Sequence, residues 1–168
     1  MVARLLAGRG HGSELLLQHL IAIQQTYSHV PPAAIDALAM AMGVSPAYIL
    51  TVIDFYAFLH LRPRGDFDIL FSDNITDQMS GSEGLRAQLC KRLGVGLEES
   101  RGDGRVTVGV TSCTGMCDQG PALLVNGLAV TSLTPRRIDQ IAELVQAGVP
   151  LGQWPPPLFH VQDPVQRV

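Results

Sequence analysis

"VGVTSCTGMCDQGPALLVNG", residues 108–127, sets Cys113 and Cys117 with three residues between them, flanked by two apolar runs. Val106, Val108 and Val110 alternate with other residues at the period of a strand. Two further strands follow, Ala122 to Val125 and Leu128 to Thr131, joined by Asn126-Gly127, a strong hairpin signal. The cysteines therefore sit in a loop between a strand and a hairpin, where the turn Thr114-Gly115-Met116 lets both thiols converge. Thiolates suit soft iron or zinc, and a glycine between them lets backbone N–H groups approach a sulfur. A bare C-x₃-C leaves a metal site and a structural pair both open.

Working upstream, Ser82 to Leu93 places Leu85, Leu89 and Leu93 on one helical face and stops at Gly94. Before it, Asp66 to Phe71 alternates Phe67, Ile69 and Phe71 as a strand, opened by the turn Arg62-Pro63-Arg64-Gly65. Glu98 to Gly104 is a polar loop, and Thr134-Pro135 opens a last helix to about Ala147. The first sixty residues read differently. Ser13 to Tyr27 carries Leu16, Leu20 and Ile23 at helical spacing, with Ser13 as cap. Pro32 starts a second helix to Met42, closed by Gly43, and Ser45-Pro46 starts a third through Ile49, Val52 and Ile53 to about Phe58. The expected architecture is α+β: an N-terminal three-helix subdomain (1–61), then a mixed sheet with flanking helices (62–148). Residues 149–168, with Pro155-Pro156-Pro157, read as an extended proline-rich tail or linker.

Composition narrows the function classes. The 168 residues are 46% hydrophobic and only 16% charged, enough for a core and for apolar surface left to a partner. A net charge of −3 gives no footprint for nucleic acid. Leu15 to Ile23 is broken by Gln18 and His19 and is far shorter than the roughly 20 residues of a membrane helix. In the N-terminal MVARLLAGRGHG, Gly8 to Gly12 interrupts any signal-peptide core, so the expected location is the cytoplasm. Three cysteines fit a reducing compartment, and a disulfide between two so near in sequence gains little. Cys90, inside a helical pattern, is expected to be a small buried apolar residue. His11, His19, His29, His60 and His160 show no metal spacing, and GRGHG lacks the preceding strand of a phosphate loop. With no nucleotide motif and no catalytic triad pattern, independent catalysis is not expected.

"SCTGMCDQGPALLVNG", after a valine strand and before a helix opening with Thr-Pro, resembles the thioredoxin-like [2Fe–2S] ferredoxin family. "VIDFYAFLHLRPRG", leading into the first strand, is similar to that family's N-terminal half. The resemblance runs from about Leu15 to Ala147. It implies a thioredoxin-like sheet and a place in the peripheral ferredoxin subunit of NADH:quinone oxidoreductase, or its equivalent in NAD-reducing hydrogenases and formate dehydrogenases. The implied partners are a flavin- and NAD-binding diaphorase subunit and other iron–sulfur subunits, and the tail is similar to a linker into such a subunit.

The resemblance also implies four cluster cysteines, a C-x₄-C pair after the first strand and a later C-x₃-C pair. The later pair maps onto Cys113 and Cys117. The earlier pair, anchored by Gly81-Ser82-Glu83, maps onto Ser72 and Asp77. A hydroxyl and a carboxyl group are harder ligands than thiolates. Three states are open: a cluster with mixed Cys₂-Ser-Asp ligation, another metal on the two cysteines, or no metal, the last being the expectation. The leading reading is an accessory component of a diaphorase module with a degenerate [2Fe–2S] site; the alternative is an independent dithiol redox or metal-binding protein using Cys113 and Cys117.

Overall fold

Proline and glycine set the limits of the N-terminal helices in the computed structural model, which describes residues 12–159 and 161. These are α1 (Leu16–Tyr27), α2 (Pro32–Met42) and α3 (Pro46–Phe55). Pro32 and Pro46 stand at the first helical positions, where the missing N–H costs nothing. Ser45 accepts from the Tyr48 N–H at 3.1 Å, as an N-cap should. Gly43 ends α2 at φ 65. A 3-10 turn, Ser13–Leu15, precedes α1, so the α-helix starts later than the spacing suggests. The side chain of Ser13 lies outside the described residues.

The third helix stops at Phe55 rather than Phe58, and the reason is a competing set of bonds. Gln24 of α1 accepts from the His60 N–H at 2.7 Å and donates to the Phe58 carbonyl. Val30 donates to the His60 carbonyl at 2.7 Å, so the segment after α3 is tied to α1 instead of continuing the helix. Leu20, Ile23, Val30, Leu38, Ile49, Ile53 and Leu59 fill the core of this unit, and His19 is buried in it. No single helix among the described residues is long and apolar enough to cross a membrane. Only α2 and α3 together reach that composition, and they bend by 119° to bury Ile35, Leu38, Ile49 and Ile53.

The chain divides between Arg64 and Gly65, and the second unit has a core of its own. Its elements are β1 (Phe67–Ser72), α4 (Ile75–Met79), α5 (Ser82–Leu93), β2 (Val106–Thr111), β3 (Leu123–Val125), β4 (Leu128–Val130) and α6 (Pro135–Gln146). The sheet order is β2-β1-β3-β4, with β1 and β2 parallel and the other pairs antiparallel. This is the mixed sheet with flanking helices that the sequence implies. Phe67, Ile69 and Phe71 alternate onto one face and join Leu85, Leu89, Ile138 and Ile141 from α5 and α6. Leu70 and Ser72, on the other face, are buried as well, which is why β1 reads as nearly continuous apolar sequence. Gly65 must be glycine, because a Cβ there would collide with the Val106 backbone.

One element is missing from the sequence reading, and two expectations need correction. The spacing gives no sign of α4; five residues are too few to show a period, and its start is a side-chain cap described below. Cys90 is half-buried, not fully buried: it packs against the edge of the core, while Leu85, Leu89 and Leu93 of the same helix are buried in it. Residues 149–159 are not extended. They fold into two 3-10 turns, Leu151–Gln153 and Pro156–Phe159, because Trp154 is large enough to anchor them. Trp154 is buried between Phe67 and Phe159, with ring centroids 5.6 and 6.0 Å away, and its indole N–H donates to the Val149 carbonyl at 2.8 Å. His11, His160, the GRGHG residues 8–11 and positions 162–168 lie outside the described residues.

Candidate functional site

Parallel pairing brings the two candidate ligand loops together. Ser72, the last residue of β1, pairs with Thr111, the last of β2, so the chains leaving both strands start side by side. The Asp73 N–H donates to the Thr111 carbonyl at 2.8 Å and locks this start. From there one loop runs to α4 and the other carries Cys113 and Cys117. Ser72, Asp77, Cys113 and Cys117, named from the sequence alone, are thus gathered at the carboxyl ends of the parallel strands, where open sheets form crevices.

One side chain touches all four. The Asn74 amide nitrogen lies 2.9 Å from Ser72 Oγ, 2.5 Å from Asp77 Oδ2, 3.5 Å from Cys117 Sγ and 3.8 Å from Cys113 Sγ. Its orientation is fixed from the other end, since Asn74 Oδ1 accepts from the Asp77 N–H at 2.9 Å and from the Thr76 hydroxyl at 2.5 Å. Asn74 is therefore both the N-cap of α4 and the donor that joins the two loops. An amide NH₂ holds two protons, and here it faces four acceptors.

The two halves of the set differ in environment. Ser72 and Asp77 are completely buried. Asp77 Oδ1 accepts from the Ala122 N–H at 3.0 Å, so its carboxyl group bridges α4 and the start of β3. Gly120 makes room for it: a Cβ there would collide with Asp77 Oδ1. Cys113 and Cys117 are exposed free thiols with their sulfurs 3.3 Å apart. Gly115, at φ 78, turns its N–H onto Cys113 Sγ at 3.2 Å, the approach a glycine in that loop allows. That N–H, followed by the Cys117 thiol, moves Cys113 below the ordinary thiol range. The bond to Cys113 in turn moves Cys117 above it, so the two titrate as a pair.

Iron–sulfur clusters of this type are held by four thiolates, or by two thiolates and two imidazoles. The set here offers two sulfurs, a hydroxyl and a carboxyl group, and the last two are already engaged by Asn74 and Ala122. Among the described residues no three His, Cys, Asp or Glu side chains are grouped so as to hold a metal ion. The donors present do not fit a [2Fe–2S] cluster. The expected family spacing names four candidate positions but gives no hint of Asn74, Gly120 or the Ala122 N–H. Asn74 does carry a local signal: Asn-Ile-Thr-Asp is an N-cap residue followed three positions later by an acid, the capping-box spacing.

A thioredoxin-like sheet with two loops bearing ligand positions at one end defines the class: a ferredoxin-type domain. The chain belongs to the thioredoxin-like [2Fe–2S] ferredoxin family, whose pattern it matches over residues 2–146. It is 30% identical over 127 residues to an NADH-quinone oxidoreductase subunit from Escherichia coli (strain K12), covering 76% of each chain. Against an NADH-quinone oxidoreductase subunit from Rhizobium meliloti (strain 1021) it is 27% identical over 133 residues, 79% of each. It is also 30% identical over 136 residues to the alpha subunit of the NAD-reducing hydrogenase HoxS of Cupriavidus necator, but spans only 23% of that protein. Among solved structures, the air-oxidized NAD⁺-reducing [NiFe]-hydrogenase matches with a TM-score of 0.74 and 33% identity, covering 86% of this chain and 25% of that one.

Proposed function

We propose that this chain is an accessory component of an NADH-oxidising or NAD-reducing diaphorase module, working in the cytoplasm within a multi-subunit redox complex and without a [2Fe–2S] cluster of its own. The observation that carries the proposal is the amide of Asn74 standing among the four ligand positions, two of them not cysteine. Family membership supports the complex; the donor set supports the loss of the cluster. The partners are a flavin- and NAD-binding diaphorase subunit and further iron–sulfur subunits.

On this reading the domain's work is docking and assembly. Ser72, Asn74 and Asp77 hold the two loops in a fixed arrangement by hydrogen bonds where a cluster would have held them by coordination. Ile75 and Met79 stand exposed on α4 beside those loops and give the site an apolar border. Affinity isolation of the tagged full chain from its own host tests the proposal. The expected result is a stable complex containing bound flavin and reducing an artificial acceptor with NADH. Isolation of the chain free of any flavin-binding subunit, at native expression level, would contradict it.

A further inference from the structure

We propose that Cys113 and Cys117 form a reversible thiol–disulfide site that exchanges with small-molecule disulfides of the glutathione class. The inference rests on the cluster-free reading, because thiolates committed to iron would not be available. Both sulfurs are exposed, so a small disulfide reaches either one. They already lie 3.3 Å apart, against about 2.05 Å in a disulfide bond, so the two sulfurs face each other before any bond forms. Neither cysteine lies in a helix or strand held by the sheet: Cys113 follows β2, and Cys117 opens a 3-10 turn, Cys117–Gln119. Among the described residues no third His, Cys, Asp or Glu joins them in a metal-holding group. The C-x₃-C spacing places the pair in a loop rather than at the start of a long helix, so this is a site that receives oxidising equivalents, not a thioredoxin-type reductase.

The exchange balances in two steps. The Cys113 sulfur, as thiolate, attacks one sulfur of R–S–S–R; that S–S bond breaks, a Cys113–S–S–R mixed disulfide forms and one RS⁻ leaves. The Cys117 sulfur then attacks Cys113 Sγ, the mixed disulfide breaks, the Cys113–Cys117 bond forms and the second RS⁻ leaves. Two electrons pass from the protein pair to the small disulfide, and the two cysteine protons end on the two leaving thiolates. Because one disulfide yields two thiols, a couple of this kind responds to the square of reduced glutathione over oxidised glutathione around it.

The test equilibrates the full-length chain in a series of reduced and oxidised glutathione, quenches with acid, and counts free thiols after denaturation, with peptide mapping and iron analysis on the same sample. The expected result is a fall from three free thiols to one, Cys90, with Cys113 and Cys117 in one intramolecular disulfide that dithiothreitol reverses. The C117S variant should instead retain glutathione on Cys113, and C113S should form no intramolecular bond. Three thiols remaining free in the most oxidising buffer, in an iron-free sample, would overturn this inference while leaving the cluster-free reading intact. Glutathione retained stoichiometrically on the wild-type chain would overturn it as well. Two irons per chain together with protected thiols would overturn the cluster-free reading, and this inference with it.

Discussion

The two halves of the candidate ligand set stand in opposite physical situations in this chain. Ser72 and Asp77 are buried and hydrogen-bonded into the sheet domain; Cys113 and Cys117 are exposed and bonded to each other, to Asn74 and, for Cys113, to the Gly115 N–H. The half without thiols is part of the core's polar wiring. The half with them stands at the surface. Replacing two residues on the buried side therefore touches fold stability, whereas the exposed side is free to carry chemistry.

Substitutions sharpen this contrast, and Trp154, the one tryptophan and part of the sheet domain's core, reports unfolding of the second unit directly. The largest effect is expected for Asp77→Ala, which leaves the buried Ala122 N–H without its acceptor and takes one of four from the Asn74 amide, at a cost of about 3 kcal/mol in urea unfolding. Asp77→Asn, which keeps one carbonyl oxygen, should recover part of that loss. Gly120→Ala is expected to cost about 2 kcal/mol, since its methyl group would enter the space of Asp77 Oδ1. Asn74→Ala removes the cap of α4 and is expected to cost about 1 kcal/mol. Cys113→Ser and Cys117→Ser, both exposed, should stay within about 0.5 kcal/mol of the parent chain. If the cysteine variants destabilised the domain more than Asp77→Ala, the division into a structural half and a free half would fail.

The thiols offer a pH-resolved version of the same test. Donation from the Gly115 N–H favours the Cys113 thiolate, and the remaining proton is then held on Cys117 by its bond to Cys113. Alkylation of Cys113 should accordingly accelerate at a lower pH than alkylation of Cys117, as read by peptide mapping across a pH series. In C117S the inflection of Cys113 should persist below the ordinary thiol range, because its largest cause, the Gly115 N–H, is untouched. Equal profiles for both cysteines would contradict the asymmetric loop.

Much of the fold is legible in the sequence. Alternating Phe67, Ile69 and Phe71 and the valines of β2 mark the central strands, and Asn126-Gly127 marks the hairpin, because period and turn chemistry are local properties. The positions Ser72 and Asp77 are reachable through the family spacing. What escapes is non-local. The end of α3 depends on Gln24, some 34 residues from Phe58 in the chain, and the folded tail depends on the aromatic surface of Phe67, which no reading of Pro155 to Pro157 reveals. Asn74 escapes for another reason: in sequence it is one polar residue between two candidate ligands, and only its spacing from Asp77 marks it as a cap.

The most direct test of the central claim is iron and acid-labile sulfide analysis of the full-length chain purified anaerobically, together with its visible spectrum. The expected result is a colourless protein without stoichiometric iron or sulfide, even after reconstitution with ferrous iron and sulfide. Two irons and two sulfides per chain, with the absorption of a ferredoxin cluster, would contradict it.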